Sequence, residues 1–249
     1  MTRQVYTYIG AGQVYLRRRD TNKGLLPIAD AGTLQISFEE ESISQPQNTQ
    51  VGGGNLDVVN RVSNMGLALT LSEMRPEQVA MAVYGEATAA VITPVVDEEH
   101  TAYEGALVMF DKAPDSAVAY VVKNQAGDVT YVLDTDYTVT QLGIIPVAGG
   151  GIADASVVSV SYTPVAADVV EMLVNSGYEY ELVFEGLNEA NGGRAQPVVL
   201  YRVKFGLTSS MDLITSEFAN PELGGQVLVD TSITGAGLSR YGKMWIPTV

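Results

Sequence analysis

With 249 residues, 46% of them hydrophobic and 17% charged, the chain can bury one large all-β core or two smaller ones, and its composition excludes a disordered polymer. It contains no cysteine, which excludes disulfides, thiol catalysis and zinc–thiolate centres. The net charge of −15 argues against a surface that grips phosphate, though not against one that nucleic acid slides past.

The start, Met1 to Tyr8, has no apolar stretch of signal-peptide type, and no apolar run reaches membrane-spanning length. The expectation is a protein made in a cytoplasm, with no membrane contact. Gln13 to Arg19 reads as a first strand, with Val14, Leu16 and Arg18 on one face and Tyr15, Arg17 and Arg19 on the other. The three adjacent arginines read as a solvated or interface edge, because few other bases lie nearby. Asp20 to Ala31 is a turn-rich connection.

Thr33 to Glu41 alternates cleanly. Leu34, Ile36 and Phe38 face one way, and Thr33, Gln35, Ser37 and Glu39 the other, as in a half-buried antiparallel strand. Val62 to Ser72 repeats the pattern, with Met65, Leu67, Leu69 and Leu71 inward and small residues such as Gly66, Ala68 and Thr70 outward. Between them, Ser42 to Arg61 is polar and carries Gly52-Gly53-Gly54, so it builds no core and is expected as a long loop. Its scattered apolar residues, Ile43, Val51, Leu56, Val58 and Val59, fit a segment that orders on a partner.

Pro76 to Tyr84 is the best helix, with Pro76 in the first turn, Glu77 at the positive end and Gly85 as terminator. Val79, Ala82 and Val83 form its expected inward stripe. From residue 87 to 168 the character changes. Short strands are expected at Ala89–Val96, Ala106–Phe110, Ala117–Asn124, Val129–Leu133, Tyr137–Thr140 and Val157–Tyr162, with turns at Gln125–Asp128 and Ala148–Gly151. This spacing reads as an inserted β-sandwich-like module. It carries 11 of the 29 acids and 2 of the 14 Lys and Arg, so −9 of the total charge belongs to it.

The chain then returns to alternation. Tyr178, Tyr180, Leu182 and Phe184 are inward, and Glu179, Glu181 and Glu185 outward. Pro197 to Phe205 places Val199, Tyr201, Val203 and Phe205 on one face and Arg202 and Lys204 on the other. If these strands pair, parity puts Arg202 and Lys204 on the glutamate face. A helical turn is expected within Ser216–Gly224, with closing strands at Gln226–Ile233 and Tyr241–Ile246. The fold class is therefore mainly β: an antiparallel sandwich or barrel domain with one short helix (1–86 and 169–249), interrupted by the β module at 87–168.

No reaction centre is legible, and the chain reads as a non-enzyme without cofactors. The single histidine, His100, sits in Asp97-Glu98-Glu99-His100, which reads as a solvated acidic turn and not as a metal site, since no second histidine completes one. Serine catalysis would need that same histidine and lacks a nucleophile elbow. The acids sit in runs or on open strand faces and not as a glycosidase pair. Asp134-Thr135-Asp136 lacks the spaced ligands of a calcium loop, and the two triple-glycine runs lack the Lys-Ser/Thr of a phosphate loop.

The order and spacing of several segments carry a resemblance. They are Phe38-Glu-Glu-Glu41 ending a strand, the Gly-bearing loop, Leu67-Ala-Leu-Thr-Leu-Ser-Glu73, the helix Glu77–Gly85, Tyr180-Glu-Leu-Val-Phe-Glu-Gly186, Val198-Val-Leu-Tyr-Arg-Val203 and Val227-Leu-Val-Asp230. Over Gln13–Tyr84 and Tyr178–Ile246 the chain resembles the major tail tube protein of long-tailed, non-contractile bacteriophages (siphoviruses), with the Chi-like, flagellum-seeking phages as the nearest group. The resemblance implies a virion protein, assembled in the host cytoplasm as hexameric rings stacked into a tail tube. Its partners would be other copies, a tape-measure protein in the lumen, tail terminator and tail-tip proteins, and double-stranded DNA in transit during ejection. The lumen-facing residues would be Glu39, Glu41, Glu179, Glu181, Glu185, Arg202 and Lys204. The loop reaching the next ring would carry Ile43, Pro46, Val51, Gly52, Gly53, Gly54, Leu56, Val58, Val59 and Arg61, and the insert would lie on the tube exterior. The alternative is an adhesin-like β-sandwich binding module, favoured by the strand spacing of the insert and opposed by the missing export signal.

Overall fold

A computed structural model describes residues 7–28, 30–49 and 51–247. Residues 1–6, which bear most of the signal-peptide expectation, and Gln50 of the expected loop lie outside that set. The chain divides into two compact units, 1–87 with 170–249, and 88–169. The first unit begins with β1 (Gly10–Arg18), β2 (Leu26–Pro27), β3 (Ala31–Pro46), β4 (Asn55–Leu71) and helix α1 (Pro76–Ala82). Strand β5 (Glu86–Ala89) leads into the second unit, which holds β6 (Val95–Ala102), β7 (Val108–Met109), β8 (Val121–Asn124), β9 (Tyr137–Val139), β10 (Gly143–Pro146) and β11 (Ser156–Tyr162). Strand β12 (Asp168–Glu171) pairs with β5 on the way back. Then follow β13 (Glu179–Asn188), β14 (Arg194–Ala195), β15 (Val198–Phe205), β16 (Glu222–Val227) and β17 (Gly242–Met244). The fold is mainly β and antiparallel, with one short α-helix among the described residues, as the alternation predicts.

The first unit is built on one sheet of order β2-β1-β13-β15-β16-β4-β3, with β14 added to β13 and β17 to β15. Its apolar face buries Val14 and Leu16 of β1, Leu67, Leu69 and Leu71 of β4, and Leu182 of β13. Leu34 and Ile36 of β3 are half-buried against the same cluster, but Phe38 is 71% exposed, because the strand runs past the end of the core. Strand β15 does not follow simple alternation. Tyr180 pairs with Val203 and Leu182 with Leu200, so Tyr201 and Arg202 together oppose Glu181. This β-bulge takes Val199 and Tyr201 off the core face and buries Val198, Leu200, Val203 and Phe205 instead.

Helix α1 lies where Pro76 and Gly85 predict. Its buried residues are Gln78, Ala80 and Ala82, with Val83 just beyond, whereas Val79 is only half-buried. Gln78 turns inward because its Oε1 accepts the Arg75 amide at 3.3 Å and caps the helix start. The helical turn expected at Ser216–Gly224 is absent. Gly224 and Gly225 pair with Ala68 and Leu67 in the sheet, so tertiary pairing decides the local conformation.

The expected 20-residue loop is mostly strand. Strands β3 and β4 keep pairing outward through Glu41↔Arg61, Ile43↔Val59 and Ser44↔Val58 to Pro46↔Asn55, leaving 47–54 as the turn. Backbone hydrogen bonds continue the hairpin without a core beneath it. Gly52, Gly53 and Gly54 close the tip with φ of 120°, 65° and 140°, values that glycine adopts readily and other residues do not.

In the second unit, two three-stranded sheets, β7-β10-β9 and β6-β11-β8, enclose Phe110, Tyr120, Val122, Tyr137, Ile144, Ile152, Val158, Val160 and Tyr162. The acidic run Asp97–His100 lies within β6 and not in a turn, and β10 is an unexpected strand. Val129–Leu133 makes only isolated bridges at Thr130 and Leu133. Leu69, fully buried in the first unit, provides a test of its core. Leu69→Ala should lower the stability of that unit by about 2–5 kcal/mol in urea unfolding. A loss under 1 kcal/mol would contradict the packing described.

Candidate functional site

Two exposed features of the first unit stand apart from its core: the polar face of the sheet and the β3–β4 ribbon. On the polar face, β1, β13 and β15 lie side by side and bring Tyr15, Arg17, Glu179, Glu181, Glu185, Arg202 and Lys204 together. Arg202 holds Glu179 with two bonds, Nε to Oε2 at 2.8 Å and Nη2 to Oε1 at 2.6 Å. Lys204 sits directly opposite Glu179. Arg17 is ion-paired with Glu181. The Tyr15 hydroxyl donates to Glu185 Oε2 at 3.0 Å, which raises the phenol pKa above its usual value. The paired hydrogen bonds from Arg202 lower the Glu179 pKa, so the carboxylate stays ionised.

At the margin of this face, Arg19 donates from Nη1 to Asp230 Oδ2 at 2.8 Å and to the Tyr201 carbonyl at 2.6 Å. Asp230 also accepts from the Ser232 hydroxyl at 2.7 Å and the Ser232 amide at 3.0 Å. Those two bonds, with Arg19 adding to them against the opposing effect of burial, hold the Asp230 carboxyl at about 2. Three carboxylates (Glu179, Glu181 and Glu185) thus meet three cations (Arg17, Arg202 and Lys204), and the patch is close to neutral. The neutralisation that Arg202 and Lys204 begin is completed by β1, which supplies Arg17 beside β13.

The other two acids predicted for this surface are elsewhere. Glu39 and Glu41 lie on β3, at the opposite end of the strand order, where they pair with Asn64 and Arg61. Arg17, Arg19 and Asp230 were not predicted as site residues. The parity of β1 places Arg17 and Arg19 on the polar face, but only the pairing of β1 with β13, some 170 positions later, reveals their partners.

The ribbon, from about residue 39 to 62, is exposed on both faces. It displays Ile43, Leu56, Val58, Val59 and Val62, each 45% or more exposed, with Val51 at the tip fully exposed. Ile43 lies opposite Val59, and Arg61 opposite Glu41. Pro46 and Gly52–Gly54 form the end. The predicted apolar residues are therefore mounted on a paired scaffold and not scattered along a loop.

One cluster in the second unit has metal-ligand residue types. Glu98, His100 and Asp111 each place a ligand atom within 4.8 Å of the others. Glu98 already accepts from the Asp111 amide and the Tyr162 hydroxyl, both at 3.0 Å, and pairs with His100. Burial raises its pKa, but these donors together outweigh that effect and leave it below the usual value. His100 stacks on Phe110 at 5.7 Å between ring centroids. The cluster reads as a satisfied, half-buried carboxylate–imidazole contact. Asp136 is likewise occupied, accepting the Val132 and Gly151 amides at 2.7 Å each as a loop clamp.

With this geometry in view, residues 7–245 match the model of a protein family described as "protein of unknown function UCP028589". The chain belongs to that family. No curated protein matches it. The family match spans nearly all the described residues, so the sheet, the ribbon and the second unit fall within one family-wide sequence pattern. No helix among the described residues is long and apolar enough to cross a membrane.

The depressed pKa of Asp230 gives a pH test. Its folded carboxyl binds protons less readily than the unfolded one, so its contribution is present above about pH 4 and is lost as pH falls toward about 2. Asp230→Asn should flatten the fall in stability between those values in a series of urea titrations. An unchanged slope would show that Asp230 does not carry it.

Proposed function

We propose that the protein is a tail tube subunit of a long-tailed, non-contractile bacteriophage, polymerising as stacked hexameric rings through which DNA is ejected. The observation that carries the reading is the β3–β4 ribbon. A two-stranded hairpin with no core beneath it is marginal alone, yet this one displays apolar residues along its length. Such an element gains stability by lying on another surface, and in a stacked assembly that surface is the neighbouring ring. Ile43, Val51, Leu56, Val58 and Val59 are its contact residues.

A second support is the sheet itself. Its hydrogen-bonded order starts at β2 and ends at β3 without closing, so edges remain for pairing between subunits. Its outer face is polar and nearly neutral by internal pairing, which suits a lumen wall that neither traps nor strongly repels phosphate. On this reading Glu185 is the acid of this face left without an arginine clamp, and it supplies what bias the wall has. The partners that follow are the tape-measure protein, the terminator and tip proteins, and DNA in passage. Assembly takes place in the host cytoplasm, and the product is the virion tail.

Ser42 pairs with Asn60, so joining them through an Asn-Gly turn shortens the ribbon without changing register. The shortened chain should remain a folded monomer with unchanged thermal unfolding but form no tubes by negative-stain microscopy, whereas the full chain forms hollow tubes at high concentration. Normal tubes from the shortened chain would sink the ribbon's role. For the lumen, phage carrying Glu185→Lys should assemble normal tails but eject DNA more slowly in a dye-release assay. Unchanged ejection would remove Glu185 from the channel wall.

A further inference from the structure

We propose that the segment Asp212–Phe218 is a plug that seats in an apolar cleft of a second copy of this chain. The inference rests on the self-assembling reading above and adds a contact that neither the ribbon nor the sheet edges supply.

Strands β15 and β16 are joined by residues 206–221, which contain no regular structure. Within this connection Leu213 is 83% exposed, Ile214 98% and Phe218 94%. Three large apolar side chains within six positions stand almost wholly in water. Scattered single apolar residues on a surface are ordinary, but a concentrated group marks an interaction site. The root of the segment is fixed by the fold. The Thr208 amide donates to the Ala82 carbonyl at the end of α1 at 2.9 Å, and Met211 packs against the core. The crown alone is uncovered.

The same unit contains a cleft of about 490 Å³ flanked by α1, β2 and β13, with Leu16, Leu26, Ile28, Met81, Tyr178 and Phe205 in its walls. A cavity of about 150 Å³ holds one benzene-sized group, so this cleft has room for two or three apolar side chains. The charges match as well. Asp212 and Glu217 lie within the plug, next to Leu213 and Phe218, and the cleft presents Arg18, Lys23 and Arg75 against Glu77 and Glu86. Arg18 is engaged by Asp20 and Arg75 by Glu73, whereas Lys23 makes no ion pair among the described residues. Lys23 is the cation available to an incoming acid. A single copy leaves both the plug and the cleft in water. A second copy covers both with one contact, and because plug and cleft are different surfaces, the contact is head-to-tail and repeats from copy to copy.

The absence of cysteine makes the test direct. Single variants Ile214→Cys and Met81→Cys are mixed and oxidised, and the double variant is oxidised alone, with products read on non-reducing gels and tubes scored by negative stain. The mixture should give a cross-linked dimer that neither variant gives alone, and the double variant a ladder of multimers. Adding Leu213→Ser and Phe218→Ser should reduce the cross-link by about tenfold or more while the circular dichroism of the monomer stays unchanged. A double variant that links only within one chain would mean that the plug fills its own cleft and would overturn the proposal. Tubes that form without any cross-link would overturn the plug and leave the assembly reading standing. No self-association of the unmodified chain under any condition would overturn both.

Discussion

The bulge at Tyr201–Arg202 sets the geometry on which the first unit depends. Without the extra residue, β15 could bury Val198 and Leu200, or Val203 and Phe205, but not both pairs. With it, all four enter the core. The same step turns Arg202 to the polar face, where it clamps Glu179. Strand β15 also pairs with β13, β16 and β17, so its register is transmitted to three neighbours. A one-residue slip in a half-buried sheet inverts every side chain. Here the local break in alternation is what keeps the apolar residues of the central strand on one side.

That dependence explains which parts of the fold were legible in the sequence. Val14 and Leu16, Leu67 to Leu71, and Tyr180 to Phe184 alternate because one face of each strand meets a core and the other meets water, and their inward residues could be named directly. Strand β15 is only half legible because Val198, Val199, Leu200 and Tyr201 are all apolar or aromatic, so the phase change at the bulge does not show in the sequence. The ribbon was misread as a loop for the opposite reason. Neither of its faces is buried in the single chain, so nothing imposes alternation on Ser42–Arg61 even though its backbone is paired. Strand β6 was hidden by its charges. Glu98 is half-buried through the amide of Asp111 and the hydroxyl of Tyr162, both distant in sequence, together with the imidazole of His100 two residues on.

The candidate surface was legible only in part. Parity alone put Glu179, Glu181, Glu185, Arg202 and Lys204 on a common face, and they do lie together. The identity of the partners depended on strand order. Strand β1 lies against β13 across most of the chain length, and it is this neighbour that brings Arg17 to Glu181 and Arg19 toward Asp230. Exposed ion pairs of this kind contribute little to stability, on the order of 1 kcal/mol or less. Their larger effect is on the field at the surface, which they flatten. The large negative total of the chain therefore says little about this face. The short-range pairing of a few side chains governs it.

The tip of the ribbon has a consequence for how the protein tolerates change. At Gly52, Gly53 and Gly54 an added Cβ would meet nothing within 4 Å, so there is no crowding to oppose a larger residue. All three nevertheless hold positive φ, which costs L-residues roughly 1 kcal/mol or more each. The tip thus combines complete openness with intolerance. In a saturation survey of the chain it would appear as a constrained spot on an otherwise permissive surface, with bulk and polarity nearly irrelevant. Backbone handedness alone would rank the substitutions there, placing asparagine and aspartate ahead of valine and isoleucine.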